Sequence, residues 1–200
     1  MELFETPGEV NLLPFDGDVK YYRNIFNRSE AKLYFEKLSA NIDWKYDELI
    51  IFGKRHITKR KVAWYGKDRY AYCYSNSTKH ALPFTAELKT ILLKTELITG
   101  SGFNSCLLNF YNDGLEGMGW HSDDEKTLRQ HASIASVSFG AERRFLLRHK
   151  QTKQTIEILL EDGSILLMSG ATQTNWLHSL PKSSRIKNPR INLTFRTFNQ

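Results

Sequence analysis

From residue 101 onward, apolar positions recur in short runs that alternate with polar residues or fill a segment completely, and turn residues separate the runs. The predicted strands are 106–111, 133–139, 144–149, 155–160, 164–168 and 190–198. Asn112-Asp113-Gly114, Gly140 and Asp162-Gly163 punctuate them, the pattern of an antiparallel sandwich or barrel. The first half reads differently. Residues 1–24 carry Pro7, Gly8, Pro14 and Gly17 with little periodicity, and predict an arm over a core. Ser29 is a candidate cap for a helix over about 30–40, with Leu33 and Leu38 on one side and Tyr34 and Phe35 flanking. Pro83 and Thr85 open a second helix. There Leu88, Ile91, Leu92, Thr95 and Ile98 keep the helical period, and Gly100 ends it. Two helices and about eight strands predict a mainly β fold with supporting helices (α+β), a double-sheet jelly roll whose open end can hold a ligand.

Composition adds bounds. Two hundred residues, 40% hydrophobic and 25% charged, suit a single soluble domain, expected to be a monomer. No apolar run approaches the ~20 residues that span a bilayer, and the N-terminus lacks a basic-then-apolar leader. The expectation is an intracellular protein with no membrane partner, cytoplasmic if bacterial and nuclear if eukaryotic. Cys73 and Cys106 lie in apolar or aromatic surroundings and suggest buried thiols. Lysine and arginine outnumber aspartate and glutamate by 28 to 22, and the excess is concentrated. Lys54, Arg55, Lys59, Arg60 and Lys61 form one cluster; Arg143, Arg144, Arg148, His149, Lys150 and Lys153 form another. Each is a candidate contact for phosphate backbones or an ordinary solvated face.

Trp120-His121-Ser122-Asp123-Asp124-Glu125 carries the sharpest chemical signal. On a strand, His121 and Asp123 project from one face, because side chains alternate with period two. His178, in Trp176-Leu177-His178-Ser179-Leu180-Pro181, would complete a face of two histidines and one carboxylate. That set with open positions suits non-haem Fe(II), and it could equally hold catalytic zinc with water.

A second constellation lies in 190–196. Ile191, Leu193 and Phe195 alternate with Arg190, Asn192, Thr194 and Arg196. A half-buried strand with its polar face in water gives this pattern, and so does a strand whose polar face binds an anion. Six steps of ~3.3 Å separate the arginine backbones by roughly 20 Å. The two could therefore grip opposite ends of a dicarboxylate through bidentate contacts, with Asn109 and Tyr111 adding hydrogen bonds.

At these residues the sequence resembles the AlkB family of Fe(II)- and 2-oxoglutarate-dependent nucleic-acid dealkylases. The resemblance runs in order through Leu108-Asn109-Phe110-Tyr111-Asn112-Asp113-Gly114, His121-Ser122-Asp123-Asp124-Glu125, residues 133–140, Arg148-His149-Lys150, 176–181 and 189–196, with weaker similarity back to about residue 48. It implies a double-stranded β-helix core over 101–200 with a helical, nucleotide-recognising extension over 1–100. It also implies Fe(II) on His121, Asp123 and His178, and 2-oxoglutarate on Asn109, Tyr111, Arg190, Asn192, Thr194 and Arg196, with O2 as the other cosubstrate.

Ile51-Phe52-Gly53-Lys54 resembles the hairpin of family members that act on duplex DNA. Phe52 would enter the base stack, Gly53 would permit close backbone approach, and Lys54 and Arg60 would contact phosphates or the opposite strand. Phe52 could instead end a buried strand. Tyr72-Cys73-Tyr74 resembles the lining of the flipped-base pocket, with Tyr74 stacking on the damaged base. Asp124 and Glu125 could favour a cationic methylated base, or form a solvated turn. Tyr74 stands where a phenylalanine is expected of duplex-preferring members, and Arg55 where a tryptophan is.

The implied reaction is oxidative demethylation of N1-methyladenine and N3-methylcytosine in DNA, releasing formaldehyde, succinate and CO2. The same chemistry on RNA, a zinc hydrolase and a non-catalytic nucleic-acid-binding module are the alternatives. Arg190 and Arg196 weigh against the hydrolase, since hydrolysis needs no dicarboxylate cosubstrate.

Overall fold

The computed structural model describes the backbone of residues 10–51, 54–74, 77–125 and 127–199, and their side chains except 47–51, 54–56, 72–74 and 77–79. The N-terminal half contains β1 (Asp18–Tyr22), α1 (Arg28–Asn41), β2 (Lys45–Ile51), β3 (Lys54–Gly66), β4 (Ala71–Tyr74), β5 (Ser77–His80), β6 (Leu82–Pro83) and α2 (Ala86–Thr99). Then follow β7 (Ser105–Tyr111), β8 (Met118–His121), β9 (Ile134–Gly140), β10 (Arg143–His149), β11 (Thr155–Leu160), β12 (Ile165–Ser169), the short α3 (Thr172–Asn175), β13 (Trp176–Leu180) and β14 (Arg190–Arg196).

Local chemistry accounts for the helix boundaries. Thr85 caps α2 through Leu88 N–H, and Gly100 ends it in the left-handed conformation, φ 66°, where a missing Cβ removes the steric cost. The cap of α1 differs from expectation. Asn27, not Ser29, accepts from the N–H groups of Ser29 and Glu30, while Glu30 accepts from the Asn27 N–H, a reciprocal capping box. Leu33 is also exposed. The face α1 buries is set by Ala31, Tyr34, Phe35 and Leu38, one, four, five and eight along a helical stripe, and Leu33 falls outside it.

Two sheets carry the architecture. The larger runs β1-β12-β9-β14-β7-β3-β2, with β6 beside β3, and the smaller runs β11-β10-β13-β8; this is the predicted jelly roll. The N-terminal arm contributes β1, which pairs antiparallel with β12, and β3 pairs with β7. Both therefore extend the same sheet as the later strands.

Among the described residues, two large apolar clusters divide the interior, with a small third one around Tyr70, Ala81 and Phe198. One contains Leu38, Leu88 and Ile91 from the helices with Leu108, Val137, Ile191, Leu193 and Phe195, so those strand residues face the helices. The other joins Tyr111, Ile134, Leu166 and Met168 of the large sheet to Phe145, Leu147, Ile158 and Trp176 of the small one. By alternation, the polar residues of β14 must point between the sheets. The reading of that face as solvated is thereby excluded.

Candidate active site

His121 ends β8, and His178 lies directly opposite it on β13. Their ring centroids are 4.2 Å apart. The expectation that Asp123 shares this strand is not met, because β8 stops at His121. Asp123 instead reaches the site from the loop, its N–H donating to Gln173 Oε1 at 2.8 Å. Ligand atoms of His121, Asp123 and His178 all lie within 4.8 Å of one another. His121 Nδ1–H donates to the Gly119 carbonyl at 2.9 Å, since a carbonyl can only accept. That leaves the Nε2 lone pair for a metal, and Nε2 is 3.9 Å from Asp123 Oδ1. Phe145 stacks on His178 at 5.5 Å.

The surrounding charges suit metal ligation. Burial pushes His178 down to about 4, against the opposing pull of Asp123, so its imidazole is neutral near pH 7, as a ligand must be. Burial alone would raise the Asp123 carboxyl, but Arg196 and the two histidines outweigh it and hold it below the ordinary aspartate range. Arg196 Nη2 donates to Asp123 Oδ2 at 2.7 Å, which leaves Oδ1 toward the histidines.

The polar face of β14 continues from this ion pair into the sandwich. Arg190 is 2% exposed, and burial lowers its guanidinium to about 10, still protonated near neutral pH. It stands opposite Tyr111, and Asn192 stands opposite Asn109. Arg190 Nη2 donates to Ser138 Oγ at 2.9 Å. Asn192 donates to Ser136 Oγ and accepts from Thr194. The Nε atoms of Arg190 and Arg196 are buried without hydrogen-bond partners among the described residues. Leaving such donors unsatisfied is costly, and a bound dicarboxylate would remove the cost at both ends of the strand. Two histidines with a carboxylate are likewise a donor set that fits Fe(II). Ser136 and Ser138 were not anticipated. Their signal is the small polar residue at every second position of a strand that is otherwise apolar.

The two basic stretches divide by strand alternation. Arg60 turns inward, its Nε donating to Asn109 Oδ1 at 3.0 Å, whereas Lys59 is exposed. Arg143 is 1% exposed and donates to the carbonyls of Asp113, Glu116 and Pro181, bracing the turn after β7. His149 is buried, Arg144 pairs with Glu157 and Arg148 lies over the Trp120 ring at 4.1 Å. Residues 143–153 therefore do not form one phosphate-binding face. Asp124 and Glu125 are exposed in the loop after β8. Phe52 and Gly53 lie outside the described residues; Ile51 and Lys54, their neighbours in the sequence, pair across β2 and β3. The backbones of Tyr72, Cys73 and Tyr74 are on β4; their side chains, with that of Lys54, lie outside the described set.

A jelly roll with a two-histidine, one-carboxylate mouth defines an oxygenase class, and the comparisons agree: residues 18–196 match the 2OG-Fe(II) oxygenase superfamily. Among curated proteins, the chain is 37% identical over 186 residues to the bovine (Bos taurus) DNA oxidative demethylase ALKBH2, covering 88% of this chain and 67% of that protein. It is 36% identical over 200 residues to the human (Homo sapiens) Alpha-ketoglutarate-dependent dioxygenase alkB homolog 3, covering 94% and 69%. The solved structure of OsALKBH1 superposes with TM-score 0.62 at 15% identity, covering 98% of this chain and 100% of that one, which speaks for the fold alone. The chain belongs to the AlkB family within that superfamily, and is a 2-oxoglutarate-dependent dioxygenase using Fe(II) and O2.

Proposed function

We propose that this dioxygenase repairs alkylated DNA by oxidative demethylation of N1-methyladenine and N3-methylcytosine. The observation that carries the chemistry is the buried strand from Arg190 to Arg196, whose last residue grips Asp123 beside the two histidines. The DNA substrate is supported by the ALKBH2 relative, named a DNA oxidative demethylase. Bound Fe(II) with 2-oxoglutarate and O2 supplies hydroxylation of the N-methyl carbon, giving succinate and CO2, after which the methyl leaves as formaldehyde.

The chain's own residues position the reactants. His121, Asp123 and His178 hold the metal. Arg190 would take one carboxylate of 2-oxoglutarate in a water-poor pocket, where a charge-assisted contact is strong. Asn109, Tyr111, Asn192 and Thr194 would line the path between, and Arg196 would orient the other carboxylate. No protein nucleophile or acid is required, because the hydroxylated methyl breaks down unaided.

On the substrate side, residues 1–100 supply nucleotide recognition to the 101–200 core. Phe52, with Gly53 beside it in the sequence, would fill the gap left by an extruded base. Lys54 would engage the DNA backbone, whereas Arg60, turned inward onto Asn109, would instead steady the cosubstrate pocket; Tyr72, Cys73 and Tyr74 would line the base pocket, and Asp124 and Glu125 would favour a cationic base. No helix among the described residues is long and apolar enough to cross a membrane; that the protein is an intracellular monomer is part of the same proposal. Incubation with Fe(II), 2-oxoglutarate and matched methylated single-stranded DNA, duplex DNA and RNA tests the reading by formaldehyde release. Turnover of RNA with none of either DNA would overturn it.

A further inference from the structure

Asp123 lies two residues past the end of β8, so no strand ladder fixes its backbone. Its N–H donates to Gln173 Oε1 at 2.8 Å, and Gln173 is itself tied down. The Gln173 carbonyl accepts from Lys150 Nζ at 3.0 Å, and the same ammonium donates to Ser122 Oγ at 3.2 Å. The Lys150 N–H donates to the Asn175 carbonyl at 2.8 Å. One lysine on the turn after β10 thus joins α3 to the residue preceding Asp123. The helix is anchored at its other side by buried Thr172, which accepts from the Asp18 N–H and donates to the Ser169 carbonyl.

We propose that Gln173 and Lys150 are positioning residues for the metal centre, holding the Ser122-Asp123 backbone so that the Asp123 carboxylate meets His121 and His178. The proposal rests on the assignment of Asp123 as a ligand. Gln173 presents an acceptor to a backbone donor, while Arg196 independently fixes the carboxylate end. Removing the backbone contact should loosen the ligand without removing any ligand atom, as loss of outer contacts does in metal sites generally.

The test is Mn(II) binding to the full chain without 2-oxoglutarate, followed by the electron paramagnetic resonance of free Mn(II), with thermal unfolding of each metal-free variant alongside. Gln173→Leu should weaken binding by roughly 10- to 100-fold and Lys150→Met by about 10-fold, at unfolding temperatures close to that of the unsubstituted chain. Gln173→Glu keeps an acceptor of the same length and should restore the affinity. Should Gln173→Leu not fold, Lys150→Met and Gln173→Glu still decide the matter. The proposal is overturned if Lys150→Met and any folded Gln173→Leu bind Mn(II) like the unsubstituted chain, or if Gln173→Glu binds as poorly as Gln173→Leu. His178→Ala separates the two assignments: unchanged binding in that variant would refute the metal site itself.

Discussion

Arg196 Nη2 meets Asp123 Oδ2 at 2.7 Å, with both side chains largely out of solvent, and this contact joins the last strand of the large sheet to the loop that follows β8. Breaking a buried pair from one side leaves an uncompensated charge, at a cost of about 3–5 kcal/mol. Arg196→Met should therefore lower the stability of the metal-free protein by that order and raise the Asp123 carboxyl toward the ordinary range. Urea unfolding at neutral pH measures the first effect. An unchanged midpoint would show that the pair contributes nothing.

Acid sensitivity follows from His178. Its folded value of about 4 lies below the ~6.5 of an unfolded histidine, so the unfolded chain binds the extra proton first. The stability this neutral histidine allows is fully present above about pH 6.5 and is lost as pH falls toward 4, by an amount on the order of 3 kcal/mol. Asp123, held low, adds its own loss only below the usual aspartate range. Thermal unfolding of metal-free protein from pH 7 to pH 4 should show the decline, and His178→Gln should flatten it.

Arg190 has a buried Nε with no hydrogen-bond partner among the described residues. Arg190→Met should weaken 2-oxoglutarate binding by at least ~30-fold, the equivalent of the 2 kcal/mol or more lost when one side of a buried charge pair is truncated. Mn(II) affinity measured without the cosubstrate should not change. Isothermal titration with each ligand separately gives both numbers, and an equal loss of both would argue for a disturbed fold instead.

Phe52 bears on which strand is admitted. If it fills the place of an extruded base, Phe52→Ala should reduce turnover on methylated duplex far more than on the matching single strand, where no stack has to be held open. Formaldehyde release from the two oligonucleotides compares them directly. Equal effects on both would remove Phe52 from the wedge role.

Arg143 ties the turn after β7 to the end of β13 by donating to the carbonyls of Asp113, Glu116 and Pro181. Arg143→Met leaves those acceptors without their cation, and an unsatisfied buried polar group costs about 1–3 kcal/mol. A fall in urea midpoint with 2-oxoglutarate affinity retained is expected. No shift in midpoint would contradict a bracing role.

Six of the eight strands from 105 to 196 were legible because alternation and turn residues are local properties: Ile191, Leu193 and Phe195 announce one face wherever the strand sits, whereas β8 and β13, the short strands that carry His121 and His178, were not among the predicted runs. The helix limits were legible for the same reason at Thr85 and Gly100, and the cap at Asn27 was missed because Ser29 offered a rival hydroxyl two residues on. His121, Asp123 and His178 could be nominated from residue type and order. How Asp123 arrives could not, since the end of β8 and the Gln173 contact depend on chain segments 50 residues apart. The direction of the polar face from Arg190 to Arg196 was equally undecided locally, because one alternating pattern serves a solvated strand and a lined pocket. Helices packed on Leu193 and Phe195, and a second sheet across from Asn192, turned that face inward. The sequence alone thus determined the strand periodicity and the inventory of ligands. Tertiary packing decided which side of each strand is buried, and therefore which charges are desolvated enough to bind.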